Sequence, residues 1–312
     1  MKAAQIHSYG GKEVLQITSD AAKPQPAEGQ ILIEVAAAGV NPFDVKVREG
    51  LARQMAELQF PATLGGDVAG TVAELGEGVS GFTVGQAVYG QANALSGQGS
   101  FAEFTTVKAE SLALKPTSVD FKTAAALPLV GVSAYQALVD HMDLQARQKI
   151  LIHGGAGGIG SLAIQLAKHL GAYVATTAKP EDADFVKSLG ADEVIDYTSQ
   201  DFSLVLKDYD AVYDVVGGET YHKSFLILKP GGTLVSMVEK GGEELAKEHN
   251  VNVVSQFTRV TTERLAKVAE LVDNGTIKPS VDKTFSLDEA AEALEYLKVE
   301  HPRGKVVIQV KA

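Results

Sequence analysis

Six residues, 155 to 160, carry the Gly-x-Gly-x-x-Gly spacing that binds the pyrophosphate of a dinucleotide. One glycine permits a tight bend, one lets the backbone approach the phosphates, and one lets a helix pack closely on a strand. The N–H groups and the positive dipole end of a following helix attract the anion. The spacing therefore predicts cofactor binding by Gly155, Ala156, Gly157, Gly158, Ile159 and Gly160.

The elements on both sides of this turn favour that interpretation over an ordinary glycine-rich loop. Residues 150–152 form a short apolar run typical of a buried strand. Leu162, Leu166 and Leu170 then recur at helical spacing, and Gly171 stands where a helix C-cap belongs. We therefore expect a strand, a glycine turn and a helix in this order.

The end of the next predicted strand, residues 173–177, bears on which dinucleotide is bound. NAD-specific sheets of this kind end that strand with an acid, which would repel the 2′-phosphate of NADPH. This strand ends with Thr177 and is followed by Lys179, a cation. Glu181 and Asp182 follow closely, so the sequence predicts a modest preference for NADPH and leaves NADH open.

Composition limits the class of protein. The 312 residues suffice for about two domains, and a net charge of −11 argues against nucleic acid or an anionic membrane as partner. The chain has no cysteine, hence no disulfide, thiol nucleophile or thiolate metal site. No signal-like or membrane-spanning apolar run is present, so we expect a cytoplasmic protein.

The pattern along the chain predicts an α/β fold with two domains. Residues 1–122 form short strands between turn signals, typical of a mainly antiparallel, barrel-like domain. Residues 123–261 alternate helix and strand, which predicts a doubly wound parallel (Rossmann) sheet with the cofactor across the carboxyl ends of its strands. Residues 262–312 are too few to stand alone and are expected to complete the first domain.

Particular strands and helices follow from the same pattern. In the first domain the predicted strands are 3–6, 31–37, 68–74, 86–89 and 101–107, with a loop at 39–46 leading into a short helix. In the second they are 150–152, 173–177, 194–197, 211–216, 233–238 and 251–257, with helices at 123–127, 133–140, 183–189 and 221–228. The last segment contains helices at 262–273 and 287–297 and a strand at 305–310.

Eight sequence blocks, in this order, carry a resemblance to a known family. They are GVNPFDVKVREG (39–50), LGGDVAGTV (64–72), AALPLVGVSAYQAL (125–138), HGGAGGIGSLAIQLAK (153–168), SLGADEVIDY (188–197), YDVVGG (213–218), LKPGGTLVS (228–236) and RGKVVI (303–308). The chain resembles the medium-chain dehydrogenase/reductase superfamily, in its zinc-free quinone and enone oxidoreductase branch. This resemblance implies a GroES-like first domain and reduction of an enone or a quinone by NADPH.

Relatives with a catalytic zinc bind it through two cysteines and a histidine in these blocks. The matching positions here are Asn41, Gly66 and Val130, none of which is a plausible zinc ligand. We therefore expect no metal. His153, beside the glycine turn, is structural in the related sequences, and a packed strand-end histidine is the favoured interpretation.

Without a metal, the nicotinamide must carry the chemistry while protein groups orient and polarise the substrate. The resemblance places Asn41, Asp44 and Lys46 in the loop that faces the nicotinamide ribose and the substrate. Lys46 is the strong cationic donor there, suited to stabilise an enolate oxygen or supply a proton. The alternatives are a solvated surface lysine, an Asn41 that holds the turn before a proline, and an Asp44 that caps the helix.

A departure at two positions bears on the substrate. Some quinone reductases of this branch carry tyrosines at the places of Lys46 and Ala52, so this chain weakly favours small conjugated enones over stacked quinones.

Further contacts are implied by the resemblance alone. They are Ser133, Val216, Gly217, Val238 and Phe257 along the nicotinamide, and Tyr197 at the adenine-ribose end. A homodimer through the strand at 251–257 is implied in the same way.

Two other functions stay open. A 2-enoyl thioester reductase has the same fold and chemistry, although the net charge of −11 does not favour an acyl-carrier partner. A non-catalytic dinucleotide-binding protein would bind the cofactor without turnover.

Overall fold

A computed structural model describes residues 1–311 and divides the chain into two compact units. Unit 1 comprises residues 1–129, 260–274 and the segment from Pro279 onward. Unit 2 comprises residues 130–259 and the short segment Gly275–Lys278. The first segment of unit 1 thus runs past residue 122, where the pattern of turns had placed the domain boundary.

Sixteen strands occur in residues 1–311. They are β1 (Ala3–Ile6), β2 (Leu15–Thr18), β3 (Gln30–Val40), β4 (Ala62–Thr63), β5 (Asp67–Leu75), β6 (Ala87–Gln91), β7 (Phe104–Lys108), β8 (Leu112–Leu114), β9 (Lys149–Ile152), β10 (Tyr173–Ala178), β11 (Glu193–Asp196), β12 (Tyr209–Asp214), β13 (Leu228–Ser236), β14 (Asn252–Ser255), β15 (Val281–Ser286) and β16 (Lys305–Gln309).

Ten α-helices occur in the same residues. They are α1 (Pro42–Arg48), α2 (Phe121–Ala125), α3 (Pro128–Tyr135), α4 (Gly158–His169), α5 (Ala183–Ser188), α6 (Phe202–Val205), α7 (Glu219–Ser224), α8 (Glu243–His249), α9 (Thr262–Asp273) and α10 (Ala290–Glu300). A π-helical turn, Gln136–His141, follows α3. Short 3₁₀ turns lie at Lys12–Val14, Ala94–Ser96, Ala109–Ser111, Pro180–Asp182, Phe225–Ile227 and Leu287–Glu289.

Unit 1 is built around the long strand β3. A seven-stranded sheet has the order β15-β16-β3-β5-β6-β8, with β7 also paired to β3, and every pairing except β15 with β16 is antiparallel. A second sheet has the order β2-β1-β4. The strand after α10, β16, therefore returns to pair with β3.

The core of unit 1 fixes the orientation of α1. Val45 and Val47 pack into a cluster with Val40, Leu294 and Ile308. Adjacent residues on a helix point in different directions. Lys46, between Val45 and Val47, therefore points away from this cluster and is exposed.

Unit 2 contains six parallel strands in the order β11-β10-β9-β12-β13-β14. This is the doubly wound arrangement, and the strand order reverses at β9. The crevice at such a reversal lies beyond the carboxyl ends of the strands and is the place where a dinucleotide binds. The α/β fold expected from the sequence is confirmed.

Several strands of unit 2 end earlier than predicted, which moves predicted site residues out of the sheet. β11 ends before Tyr197, β12 before Val216, β13 before Val238 and β14 before Phe257. These four side chains therefore stand in loops at the carboxyl edge. In each of these segments the apolar residues continue beyond the last backbone hydrogen bond of the strand, so the sequence pattern does not show where the strand ends.

The segment Lys229-Pro-Gly-Gly232 lies between the predicted helix at 221–228 and the predicted strand at 233–238 and belongs to neither prediction. It is instead part of β13, which pairs with β12 through an irregular register between Tyr209 and Ala211. The helix before it ends at Ser224 and continues as a 3₁₀ turn. A bulge accommodates the additional residues of β13 opposite β12, and a pattern of turn residues does not reveal such a bulge.

The first helix after residue 127 also differs from the prediction. Pro128 lies in the gap between the predicted helices at 123–127 and 133–140, but it is the first residue of α3. Proline is well tolerated in the first turn, where its missing N–H has no helical partner to lose.

Among the described residues, no helix is both long and apolar enough to cross a bilayer.

Candidate functional site

The glycine turn between β9 and α4 is shaped by one left-handed residue and two close approaches. Gly154 adopts a φ of +65°, the left-handed conformation that makes the bend. A Cβ on Gly155 would lie 2.1 Å from Thr176 Oγ1, and one on Gly160 would lie 2.3 Å from the carbonyl oxygen of Gly154. The bend is thus made by the glycine before the motif, and the first and last motif glycines allow close packing.

Gly157 has a different position from its neighbours. It is the N-cap of α4, and a Cβ there would meet no atom nearer than the Gly154 oxygen, at 3.5 Å. The space over Gly157 and the first N–H groups of this twelve-residue helix therefore fit a pyrophosphate. The residues present fit the dinucleotide that the sequence predicts.

Thr177 supports the turn through its side chain. Its hydroxyl accepts a hydrogen bond from the Gly154 N–H at 3.1 Å and lies 3.3 Å from His153 Nδ1, and the Gly155 N–H binds its carbonyl oxygen at 3.0 Å. The predicted cofactor residue Thr177 is therefore buried beneath the turn. Lys179 is half-buried just after β10.

His153 is fully buried at the end of β9. Its Nε2 lies 3.0 Å from Ser224 Oγ, and its ring packs edge-on against Phe202. Burial lowers the pKa of His153 to about 3, so the ring is neutral in the folded protein. This geometry is that of a packed structural side chain.

The predicted nicotinamide contacts fall into two groups. The exposed fractions are 55% for Val216, 48% for Val238 and 70% for Phe257, so these side chains are open to a ligand. Ser133 is fully buried, and its hydroxyl lies 2.7 Å from Thr258 Oγ1. The structure brings the Val216 and Val238 loops together, because a Cβ on Gly217 would lie 2.8 Å from Val238 Cγ2.

In unit 1, Asn41 and Asp44 form the start of α1. The Asn41 N–H donates to Asp44 Oδ2 at 2.8 Å, which completes a capping box. The helix-capping alternative for Asp44 is thus present in the structure. Both residues are buried, whereas the side chain of Lys46 is exposed on the same helix.

A buried lysine and a second carboxylate hold the Asn41 side chain. Lys305 Nζ donates to Asn41 Oδ1 at 2.5 Å and to the Val40 carbonyl at 2.6 Å. Asn41 Nδ2 donates to Asp67 Oδ2 at 3.0 Å, and that same oxygen lies 3.8 Å from Lys305 Nζ. We call Asn41, Asp44, Asp67 and Lys305 the buried polar cluster.

Burial dominates the electrostatics of this cluster. It raises the pKa of Asp44 to about 7, with a further increase from the charge of Asp67. It raises the pKa of Asp67 to about 6 and lowers the pKa of Lys305, while the attraction between this pair opposes both shifts. Two carboxylates and one ammonium therefore share a site where each charge depends on the others.

Asp67 and Lys305 were not assigned a role from the sequence. Both lie inside blocks of the family resemblance, LGGDVAGTV and RGKVVI, which was the only signal. Their partner Asn41 lies 264 residues from Lys305 along the chain, so no local spacing could have joined them.

Within residues 1–311 no group of three or more metal-binding side chains is placed to hold a metal ion. At the zinc-ligand positions of zinc-dependent relatives, Asn41 Oδ1 already accepts from an ammonium and Gly66 has no side chain.

Two family models match the chain. One, described as "Alcohol dehydrogenase GroES-like domain", matches residues 27–117, and the other, "Zinc-binding dehydrogenase", matches residues 189–308.

Individual relatives match nearly the whole chain. It is 38% identical to an NADPH-dependent alkenal/one oxidoreductase, chloroplastic, of Arabidopsis thaliana, over 99% of this chain and 79% of that one. It is 39% identical to a 2-methylene-furan-3-one reductase of Solanum lycopersicum over the same shares. The structure superposes on a quinone oxidoreductase from Coxiella burnetii with a TM-score of 0.93 and 36% identity, covering 100% of this chain and 99% of that one. From these matches and the glycine turn, the chain belongs to the medium-chain dehydrogenase/reductase superfamily, in its zinc-free quinone and enone oxidoreductase branch.

Proposed function

We propose that this protein is a zinc-independent oxidoreductase that uses NADPH to reduce an enone or a quinone. The observation that carries the proposal is the glycine turn before α4, joined to β10, which ends at Ala178 and is followed by Lys179, with no carboxylate at its tip. The alkenal/one oxidoreductase of Arabidopsis thaliana, NADPH-dependent by name, supports the same cofactor and substrate class.

When bound, NADPH supplies the hydride, and an α,β-unsaturated carbonyl accepts it at the β-carbon without a Lewis acid. The protein must then stabilise negative charge on the carbonyl oxygen and provide a proton. We assign that role to Lys46, the exposed cation on α1. Asn41 and Asp44 are proposed to set the position of this helix through its capping box.

The proposed cofactor contacts are those named from the sequence. The pyrophosphate lies at residues 155–160, the 2′-phosphate at Thr177 and Lys179, the adenine ribose at Tyr197, and the nicotinamide at Ser133, Val216, Gly217, Val238 and Phe257. The exposure of Val216, Val238 and Phe257 supports this assignment, since each is an apolar side chain open to a flat ring. The buried hydroxyls of Ser133 and Thr177 support it less.

Steady-state kinetics test the proposal. NADPH and NADH are each measured with one small enone, one quinone and one enoyl thioester. Turnover of the enone or the quinone, with NADPH preferred, is expected. A marked preference for the thioester would instead establish a 2-enoyl thioester reductase. Cofactor binding without turnover of a broad acceptor panel would establish a non-catalytic dinucleotide-binding protein.

Assembly and location are proposals of the same kind. We propose a homodimer through β14, which in the described chain pairs with β13 alone and so leaves one edge open. We propose the cytoplasm as its place, with small conjugated carbonyls or quinones, and neither nucleic acid nor membrane, as partners. Light scattering and cell fractionation test these statements.

A further inference from the structure

Two buried polar side chains lie at the carboxyl ends of neighbouring strands in unit 2. Asp214 ends β12 and Ser236 ends β13, and the two residues are paired in register. Ser236 Oγ donates to Asp214 Oδ2 at 2.7 Å, and the two residues are 0% and 1% exposed. We call Asp214 and Ser236 the strand-end pair.

Each member of the pair also holds the loop that follows its own strand. Asp214 Oδ1 accepts from the N–H groups of Val216 at 3.0 Å and Gly217 at 2.9 Å. Ser236 Oγ accepts from the N–H groups of Glu239 at 3.0 Å and, more weakly, Val238 at 3.3 Å. Four loop amides are therefore oriented by two side chains that touch each other.

The loop that follows β12 and the loop that follows β13 contact each other. Gly217 has a φ of +82°, and a Cβ there would collide with Val238 Cγ2. The Gly218 N–H donates to Glu239 Oε1 at 2.7 Å, which adds a second link between the loops. The loops cannot shift independently while these contacts hold.

From this geometry we propose that Asp214 and Ser236 are positioning residues that set the height of Val216 and Val238 against the nicotinamide ring. The inference rests on the proposed function, which places the nicotinamide at these loops. The pair touches neither cofactor nor substrate, and its effect passes through the four amides it holds.

The expected consequence is a loss of rate rather than of cofactor affinity. Hydride transfer depends steeply on the distance between donor and acceptor carbons, so a displacement near 1 Å costs about 100-fold in rate. The adenine and pyrophosphate ends are held elsewhere, at the glycine turn and Lys179. An error at the nicotinamide end should therefore appear in kcat and leave the KM for NADPH nearly unchanged.

Ser236→Ala is the first test, with Ser224→Ala as its matched control. Ser224 is also buried in unit 2, and its hydroxyl donates to the Thr220 carbonyl and contacts His153. Amide hydrogen exchange without cofactor should speed up at residues 238 and 239 in Ser236→Ala only. With NADPH, kcat should fall by about 10-fold and KM change by less than about twofold. The isotope effect with NADPH deuterated at the nicotinamide C4 should rise.

Asp214→Asn is the second test. It keeps the shape of the side chain but replaces one carboxylate oxygen with an NH₂, which cannot accept from the Ser236 hydroxyl or from the loop amides, so it should reproduce the loss of kcat. If both variants lose stability while kcat stays at the wild-type value, the pair is merely structural and the proposal is overturned. An equal loss of kcat in Ser224→Ala would overturn it as well.

Failure of the proposed function would look different. In that case the wild-type protein would turn over no acceptor, and the effect of the strand-end pair on the nicotinamide ring would be measured by cofactor binding alone. Adenosine 2′,5′-bisphosphate, which lacks the nicotinamide, should bind wild type and Ser236→Ala equally. The fluorescence of bound NADPH should differ between them if the pair positions the ring, and equal fluorescence would reject the proposal.

Discussion

At the scale of single residues, Lys46 is the side chain on which the proposed chemistry depends. Its neighbours Val45 and Val47 are buried, which fixes α1 and leaves the ammonium exposed. Lys46→Met should lower kcat by roughly 100-fold, because the cation stabilises charge that develops only in the transition state. Cofactor dissociation, measured by fluorescence titration, should be nearly unchanged.

Lys267→Met is a suitable control for that experiment. Lys267 is also an exposed lysine of unit 1, on α9, where it pairs with Glu270. Its replacement should leave kcat at the wild-type value. If Lys46→Met does the same, Lys46 is a solvated surface lysine, and Asn41→Ala becomes the next variant to measure.

Lys179 is the residue that should distinguish the two nicotinamide cofactors. Lys179→Ala removes the cation nearest the end of β10, so the KM for NADPH should rise by about 10-fold while that for NADH barely changes. Lys187→Ala, on the following helix, is the control. If wild-type protein uses NADH more efficiently than NADPH, Glu181 or Asp182 reaches the ribose and the assignment of the 2′-phosphate site is wrong.

Asp44 gives a prediction about pH that does not depend on activity. Burial raises its pKa in the folded protein to about 7, whereas an unfolded aspartate titrates at about 4. The folded state therefore keeps a proton that the unfolded state has lost, and wild-type stability falls as pH rises through this window. Asp44→Asn cannot titrate, so its stability relative to wild type should improve from about pH 4.5 to about pH 7.5.

Urea unfolding at several pH values measures this difference. Asparagine keeps a side-chain oxygen for the Asn41 N–H, so the capping box survives in part. Parallel pH profiles for the two proteins would show that Asp44 titrates normally and that the buried polar cluster does not hold its proton.

At the scale of elements, the glycine turn contains one glycine that close packing requires and another that is expected to contact the cofactor. Gly157→Ala places a methyl group in ordinary contact, 3.5 Å from the Gly154 oxygen, so stability should hold while NADPH binding weakens by at least about 10-fold. Gly160→Ala drives a methyl group into the Gly154 carbonyl, so the free energy of unfolding should fall by about 1–3 kcal/mol. Thermal unfolding and cofactor titration of both variants check this contrast.

The opposite pattern of effects in these two variants would contradict the assignment. Loss of stability in Gly157→Ala with normal binding would mean that the pyrophosphate does not lie over this glycine. The wild-type protein is measured beside both variants as the reference.

The elements were predictable where a strong period or motif defines them. Helix α9 begins and ends at the predicted residues, because Thr261 caps it and its apolar positions recur at helical spacing. Strand β15 was missed because its residues 282–284 are polar and exposed, so no alternation marks it. Its strand character comes from pairing with β16, a contact that local sequence does not encode.

The parts of the candidate site differ in the same way in how strongly the sequence marks them. The glycine turn has a motif whose parts are adjacent in the sequence. The buried polar cluster has none, because Asn41, Asp67 and Lys305 come from three distant segments. The strand-end pair required the register of β12 on β13, which only the folded sheet shows.

At the scale of the whole chain, the simplest prediction is that the protein contains no zinc. The chain has no cysteine, and the ammonium of Lys305 lies 2.5 Å from Asn41 Oδ1, where it would repel a divalent ion. Purified protein should therefore contain no stoichiometric zinc, and chelators should leave its activity unchanged. Elemental analysis that finds one zinc per chain, with activity lost on chelation, would refute this.

The position of β16 has a consequence for how the protein is made. Residues 37–40 of β3 pair with β16, and Lys305 at the start of β16 neutralises the buried polar cluster. A ribosome must therefore synthesise all of unit 2 before the sheet begun near the N-terminus can close. A nascent chain, or one cut short by a nonsense codon before residue 305, would leave one edge of residues 37–40 of β3 unpaired and would lack the buried ammonium beside Asp44 and Asp67. Such a chain exposes an unpaired strand edge, the kind of edge that favours aggregation with other chains until β16 covers it.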